Sequence, residues 1–235
     1  MRNEYQANLA EVADTLVQMA DLVHTGMWQA SRALLDVDAE LARHVVAADA
    51  HVDAQYQDLQ ECTYLLLARQ APVAGDLRLL TSALHIARDI ERMGDLAAHV
   101  AKTALRRTPQ PAVVPELHEI ISTMADHAHR IAGKLVTVIQ DADLQLADQL
   151  EHDDNTIDTC KRQLFAILLE PGWAYPIAPA IDAAQLARWY ERYADHAVNA
   201  GARVRYLATG ITLRSSRWVQ VRAVQPRARV PATIE

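Results

Sequence analysis

Only two cysteines occur in the 235 residues, Cys62 and Cys160, and neither belongs to a Cys-x-x-Cys pair. A disulfide framework and a thiolate metal centre are therefore not expected, and both cysteines are read as small core residues. Glycine is scarce too, at 7, and phenylalanine occurs once, at Phe165. No glycine-rich phosphate or dinucleotide loop can be traced, and the aromatic content that favours sheets is missing. With Ala and Leu dominant, an all-α fold is expected. Nowhere do about 18 consecutive apolar residues occur, the length that crosses a bilayer. The opening MRNEYQANLAEVAD carries charges where a signal peptide has an apolar stretch, so the cytoplasm is the expected compartment.

Positive charge is scarce in the body of the chain. The last 25 residues hold five arginines (Arg214, Arg217, Arg222, Arg227, Arg229) and one acid, which leaves residues 1–210 with 18 basic against 29 acidic side chains, a formal −11. A surface of that sign repels nucleic acid, which requires a basic footprint. The tail, 211–235, is expected to be a flexible basic extension. Hydrophobic residues make up 51% of the sequence, ample for a packed core.

What is present is written twice. At an offset of 105, MADLVH (Met19 to His24) falls on MADHAH (Met124 to His129), and Asp36, Asp38, Asp49, Asp53 and Leu59 fall on Asp141, Asp143, Asp154, Asp158 and Leu164. After a loop five residues shorter the offset becomes 100, and Arg88, Glu91, Arg92 and Asp95 meet Arg188, Glu191, Arg192 and Asp195. Such self-similarity implies two structurally equivalent halves. Breakers divide each half into three helices. Asp36 or Asp38 can cap the second, as Asp141 or Asp143 can the fifth. Pro72 stands where the third begins, Pro109, Pro111 and Pro115 stop it after Arg106 and Arg107, EPGWAYPIAP parts the last two, and Gly210 suits a C-cap. Six helices of about 25 to 32 residues follow, each ~40 to 48 Å long. The expected architecture is two tandem antiparallel three-helix bundles, 1–108 and 109–210. Leu9, Val12, Leu16, Met19 and Val23 form one apolar stripe and are expected to pack in the core.

The acidic residues also come in pairs. Asp49/Asp53, Glu91/Asp95, Asp154/Asp158 and Glu191/Asp195 are all spaced i,i+4, which puts each pair on one helical face. In a hairpin turning at Pro72 the first two pairs each lie 21 residues from the turn, and the last two are level about the Pro171–Pro176 break. Level carboxylates repel, at about 4 kcal/mol for a pair 4 Å apart at an effective dielectric of ~20. A cation must compensate, and clustered carboxylate oxygens favour magnesium, manganese or iron. Arg88 and Arg188, three residues before the glutamates, are placed to pair with them, whereas Arg92 and Arg192 point about 100° away toward neighbouring surfaces. His99, where the second half has Asn199, is expected to be a hydrogen-bonded bundle histidine, and His24 and His129 to be packing residues.

These residues resemble the PhoU family. PVAGDLRLLTSALHIARDIERMGDLAAHVAK (Pro72 to Lys102) is very similar to that family's most recognisable stretch, and RWYERYADHAVNAGARVRYLATG, ending at Gly210, resembles its second copy. The resemblance implies multinuclear metal clusters, often iron or zinc, held by Asp49, Asp53, Glu91 and Asp95 and by Asp154, Asp158, Glu191 and Asp195. It also implies a cytoplasmic homodimer that contacts a sensor histidine kinase and the ATP-binding subunit of the phosphate ABC transporter and keeps the phosphate-starvation regulon off. His99 departs from the Asn common in the family, and the tail lies outside the resemblance.

A non-enzymatic adaptor is thus expected. The rival is a carboxylate-bridged, ferritin-like di-metal enzyme, but such sites use Glu-x-x-His, and the residues three beyond Glu91 and Glu191 are Gly94 and Ala194. Direct transcriptional repression conflicts with the acidic body.

Overall fold

The computed structural model describes residues 2–210, so the basic extension expected at 211–235 lies outside the described residues. Among these residues the chain forms six helices and no strand: α1 (Arg2–Leu35), α2 (Ala39–Gln70), α3 (Ala74–Arg107), α4 (Pro115–Asp141), α5 (Leu144–Leu168) and α6 (Ile177–Thr209). They run from 25 residues in α5 to 34 in α1 and α3, a little beyond the expected upper length.

The first hairpin of each repeat turns in the same way. Asp38 accepts from the Leu41 N–H at 3.0 Å and Asp143 from the Leu146 N–H at 2.9 Å, satisfying amides that the helix start leaves open. Asp36 does not cap; it pairs with Arg32 at 2.6 Å. The preceding residues, Val37 and Ala142, are repeat equivalents and both take positive φ, 58° and 53°. At the other end Gly210 stops α6 at φ 71°, its N–H donating to the Tyr206 carbonyl at 2.8 Å.

Four helices build the centre. α1 packs on α3 and α4, and α6 packs on the same two, while α2 lies outside against α1 and α3 and α5 outside against α4 and α6. α3 and α6 run antiparallel: Asp89 meets His196, His99 meets Trp189 and Arg106 meets Asp182, so contacts climb one helix as they descend the other. Where α1 crosses α4, His24 stacks on its own equivalent His129, centroids 4.3 Å apart and planes 18° apart. A pseudo-twofold axis therefore relates the repeats.

One continuous apolar core joins the halves. The expected stripe of Leu9, Val12, Leu16, Met19 and Val23 is buried in it. Tyr190 and Tyr193 are fully buried there, and each hydroxyl reaches across to α1: Tyr190 to Ser31 Oγ at 2.9 Å, Tyr193 to the Val23 carbonyl at 2.9 Å. Both buried polar atoms are thus satisfied. The outer helices contribute much less. α2 buries Val45, Val52, Leu59 and Leu66 at intervals of seven, and α5 buries the equivalents of the first three, Leu150, Ile157 and Leu164. Spacing of that kind gives a single narrow seam and leaves the other faces to water. Cys160 is buried as expected, but Cys62 is only half-buried, because it stands beside the α2 seam, lining a polar cleft between α1 and α2.

Candidate metal-binding site

The carboxylate pairs lie where the outer helices meet α3 and α6. Asp49 and Asp53 on α2 and Glu91 and Asp95 on α3 are all half-buried. Asp49 Oδ1 lies beside Gly94, where a Cβ would stand 3.2 Å away, so the absence of a side chain at 94 lets α2 approach α3 at this level. In the second repeat Leu150 abuts Gly201 and Lys161 meets Glu191, and these contacts bracket Asp154 and Asp158, holding them level with Glu191 and Asp195. Asp154, Asp158 and Glu191 are half-buried; Asp195 is exposed.

Charge accumulates in the first cluster. Burial raises the Asp49 carboxyl above its ordinary range, Asp53 and Asp95 push it further, and Lys102 and His99 oppose them. Glu91 is raised by burial as well; Arg92 pulls it back, Asp95 and Asp53 raise it again, and Arg88 lowers it slightly. Asp49 Oδ1 is buried and has no hydrogen-bond partner. A buried, unsatisfied carboxylate oxygen among three other carboxylates fits a hard cation, and the donors are all oxygen.

The cations that balance these clusters differ from those expected. Arg92 does not reach a neighbouring surface: its Nε lies 3.3 Å from Glu91 Oε2 and its Nη1 donates to Asp95 Oδ2 at 2.7 Å. The guanidinium sits at the end of a long stem, so the direction of its Cβ does not fix where the charge goes. In the second repeat the cation comes from Lys161 on α5, with Nζ 2.7 Å from Glu191 Oε1. Lys161 stands three residues after Asp158 and seven after Asp154, a spacing that places it on their stripe. With these ion pairs made, no group of three or more His, Cys, Asp or Glu side chains among the described residues stands in metal-holding geometry. Chelation in the first cluster requires Glu91 and Asp95 to turn from Arg92 toward Asp49.

His99 borders the first cluster. Its Nδ1 lies 2.8 Å from the Asp95 carbonyl, which can only accept, so Nδ1 donates this bond. The ring stands edge-on to Trp189, centroids 5.3 Å apart. It is a hydrogen-bonded bundle histidine, as expected.

Comparison with known proteins agrees with this arrangement. The PhoU domain family matches the chain twice, over residues 16–104 and 121–204. The phosphate-specific transport system accessory protein PhoU homolog 2 of Mycobacterium tuberculosis is 39% identical over 210 residues, covering 89% of this chain and 99% of that protein. The crystal structure of PhoU from Pseudomonas aeruginosa superposes with a TM-score of 0.81 at 28% identity, covering 88% of this chain and 100% of that one. The phosphate transport system regulatory protein PhoU from Streptococcus pneumoniae, at 22% identity and a TM-score of 0.76 over 89% and 99% of the two chains, shares the fold. Two matched repeats in tandem, six helices in the same arrangement and near-complete coverage of relatives lead to one conclusion: the chain belongs to the PhoU family.

Proposed function

We propose that the chain acts in the cytoplasm as a non-enzymatic regulator of phosphate uptake and signalling, keeping the phosphate-starvation regulon off when phosphate is plentiful. In this reading it works as a homodimer through contacts with a sensor histidine kinase and the ATP-binding subunit of the phosphate ABC transporter, and it reaches the membrane only through them. The observation that carries it is the double PhoU-domain match, together with relatives named for the phosphate-specific transport system. No helix among the described residues is long and apolar enough to cross a membrane.

Metal belongs to the same reading. Asp49, Asp53, Glu91 and Asp95 would hold a divalent or trivalent cation (iron, zinc, manganese or magnesium), as would the second set in so far as its own cation permits. Bound there, it would supply positive charge that ties each outer helix to the centre. A ferritin-like centre finds less support. It needs Glu-x-x-His facing the bundle interior, whereas Gly94 and Ala194 occupy the histidine positions and Met19, Tyr190 and Tyr193 fill the interior.

Deleting the gene should leave a phosphate-starvation reporter switched on in phosphate-rich medium, and restoring it should switch the reporter off. A reporter that stays fully phosphate-responsive after deletion, with no related copy in the genome, would sink the regulatory assignment.

A further inference from the structure

The two clusters share their ligand types, but a lysine pairs with the second cluster's glutamate where an arginine pairs with the first's. In the first, Arg92 approaches from the rim and is 47% exposed, so its guanidinium can swing into water and release Glu91 and Asp95. In the second, Lys161 rises from the same α5 stripe as Asp158 and is only 26% exposed, and its partner Glu191 is 21% exposed. The repeat equivalent of Lys161 is Tyr56, so a lysine at this position occurs in one half only, while the first cluster has Lys102, which acts on Asp49 through its charge. Gly94 is likewise replaced by Ala194, which takes from the second cluster the space that brings Asp49 Oδ1 against α3 in the first.

An ammonium group donates and cannot accept. At 2.7 Å it occupies a Glu191 oxygen that a metal would need, and its charge repels any second cation nearby. At an effective dielectric of ~20, a unit charge about 4 Å from a divalent cation weakens binding by a factor on the order of a million, and the partial exposure of Lys161 reduces this by several powers of ten.

We infer that the clusters are inequivalent: the first binds cations, and Lys161 serves the second as a built-in cation in place of a metal. The inference rests on the metal reading of the proposed function, and its test separates the two. Metal-free, full-length protein is titrated with Mn²⁺ alone, and tightly bound Mn²⁺ per chain is counted by calorimetry and by electron paramagnetic resonance. Wild type should fill one cluster, and Asp53→Asn with Asp95→Asn should abolish tight binding. Lys161→Met should about double the bound Mn²⁺, with the added sites at least tenfold tighter than any residual second-cluster binding in wild type. Lys161→Gln, which keeps a polar side chain of similar length, should behave alike and guards against a packing fault in the Met variant. If Asp53→Asn with Asp95→Asn removes only half the Mn²⁺, or both Lys161 variants bind as wild type does, the inequivalence is wrong while the metal reading stands. If none of the proteins binds Mn²⁺ tightly, both are overturned.

Discussion

His24 and His129 stand face to face at 4.3 Å where α1 crosses α4, and two stacked imidazoles tolerate little positive charge. Burial, and then His129, push His24 below its ordinary 6.5, with Asp21 opposing from 4.0 Å. A histidine lowered in the folded state binds fewer protons there than in the unfolded chain. Its contribution is therefore complete above 6.5 and is lost as pH falls from there through the lowered folded value. Thermal unfolding measured from pH 7.5 downward should show the melting temperature falling across that window. His24→Gln should flatten the fall, and equal slopes in the two proteins would count against it. The pairing of His24 with His129 as repeat equivalents was legible in the sequence. Their contact was not, because it depends on how the two repeats pack across the axis. Arg92 teaches the same lesson: helical angle located its Cβ, but the flexible stem decided which carboxylates it met.

At the scale of elements, α2 and α5 are the loosely held parts. Each touches the centre along one seven-residue seam, whereas α3 buries residues along its whole length from Leu80 to Ala104. Regions with fewer buried contacts open at lower free energy. Hydrogen exchange followed by mass spectrometry should find amides in the middle of α2 and α5 at least about tenfold faster than those in the middle of α3. Added metal should slow α2 more than α5 if the first cluster is the one filled. Equal protection in all six helices would contradict the seam description. The helices themselves, their breaks and the levelling of the acidic pairs were readable, since prolines punctuate the chain and an antiparallel hairpin fixes which residues are opposite. The choice of Asp38 over Asp36 as cap was not, because either aspartate could serve until the positive φ of Val37 set the turn. Lys161 was visible on its stripe, but its partner depended on the exact register between α5 and α6.

Across the whole molecule the repeats are joined by a buried charge. Asp182, 4% exposed near the start of α6, accepts from Arg106 at 2.6 Å and from Arg107 at the end of α3. Removing both arginines strands a buried carboxylate, so Arg106→Ala with Arg107→Ala should destabilise the fold by about 3 to 5 kcal/mol. Asp182→Ala should cost clearly less, because both guanidinium groups are partly exposed and can turn to water. Urea unfolding of the two variants checks the order, and a larger loss from Asp182→Ala would reverse the assignment of the buried partner. The sequence placed Arg106 and Arg107 at a helix end but gave no sign of where they point, since the alanine-rich faces that meet across the axis do not name their partners.

The same joint is lopsided. Ser82 occupies in the first repeat the place of Asp182, its hydroxyl buried without a hydrogen-bond partner, and Tyr206 and Leu207 occupy the places of Arg106 and Arg107. Two first repeats from different chains would turn guanidinium groups onto a lone hydroxyl. Two second repeats would bury each Asp182 carboxylate against Tyr206 and Leu207, with no base to meet it. Each half accepts its sister and refuses its twin, a partner code that disfavours chains assembling by exchanging like halves and steers them away from swapped, open-ended polymers.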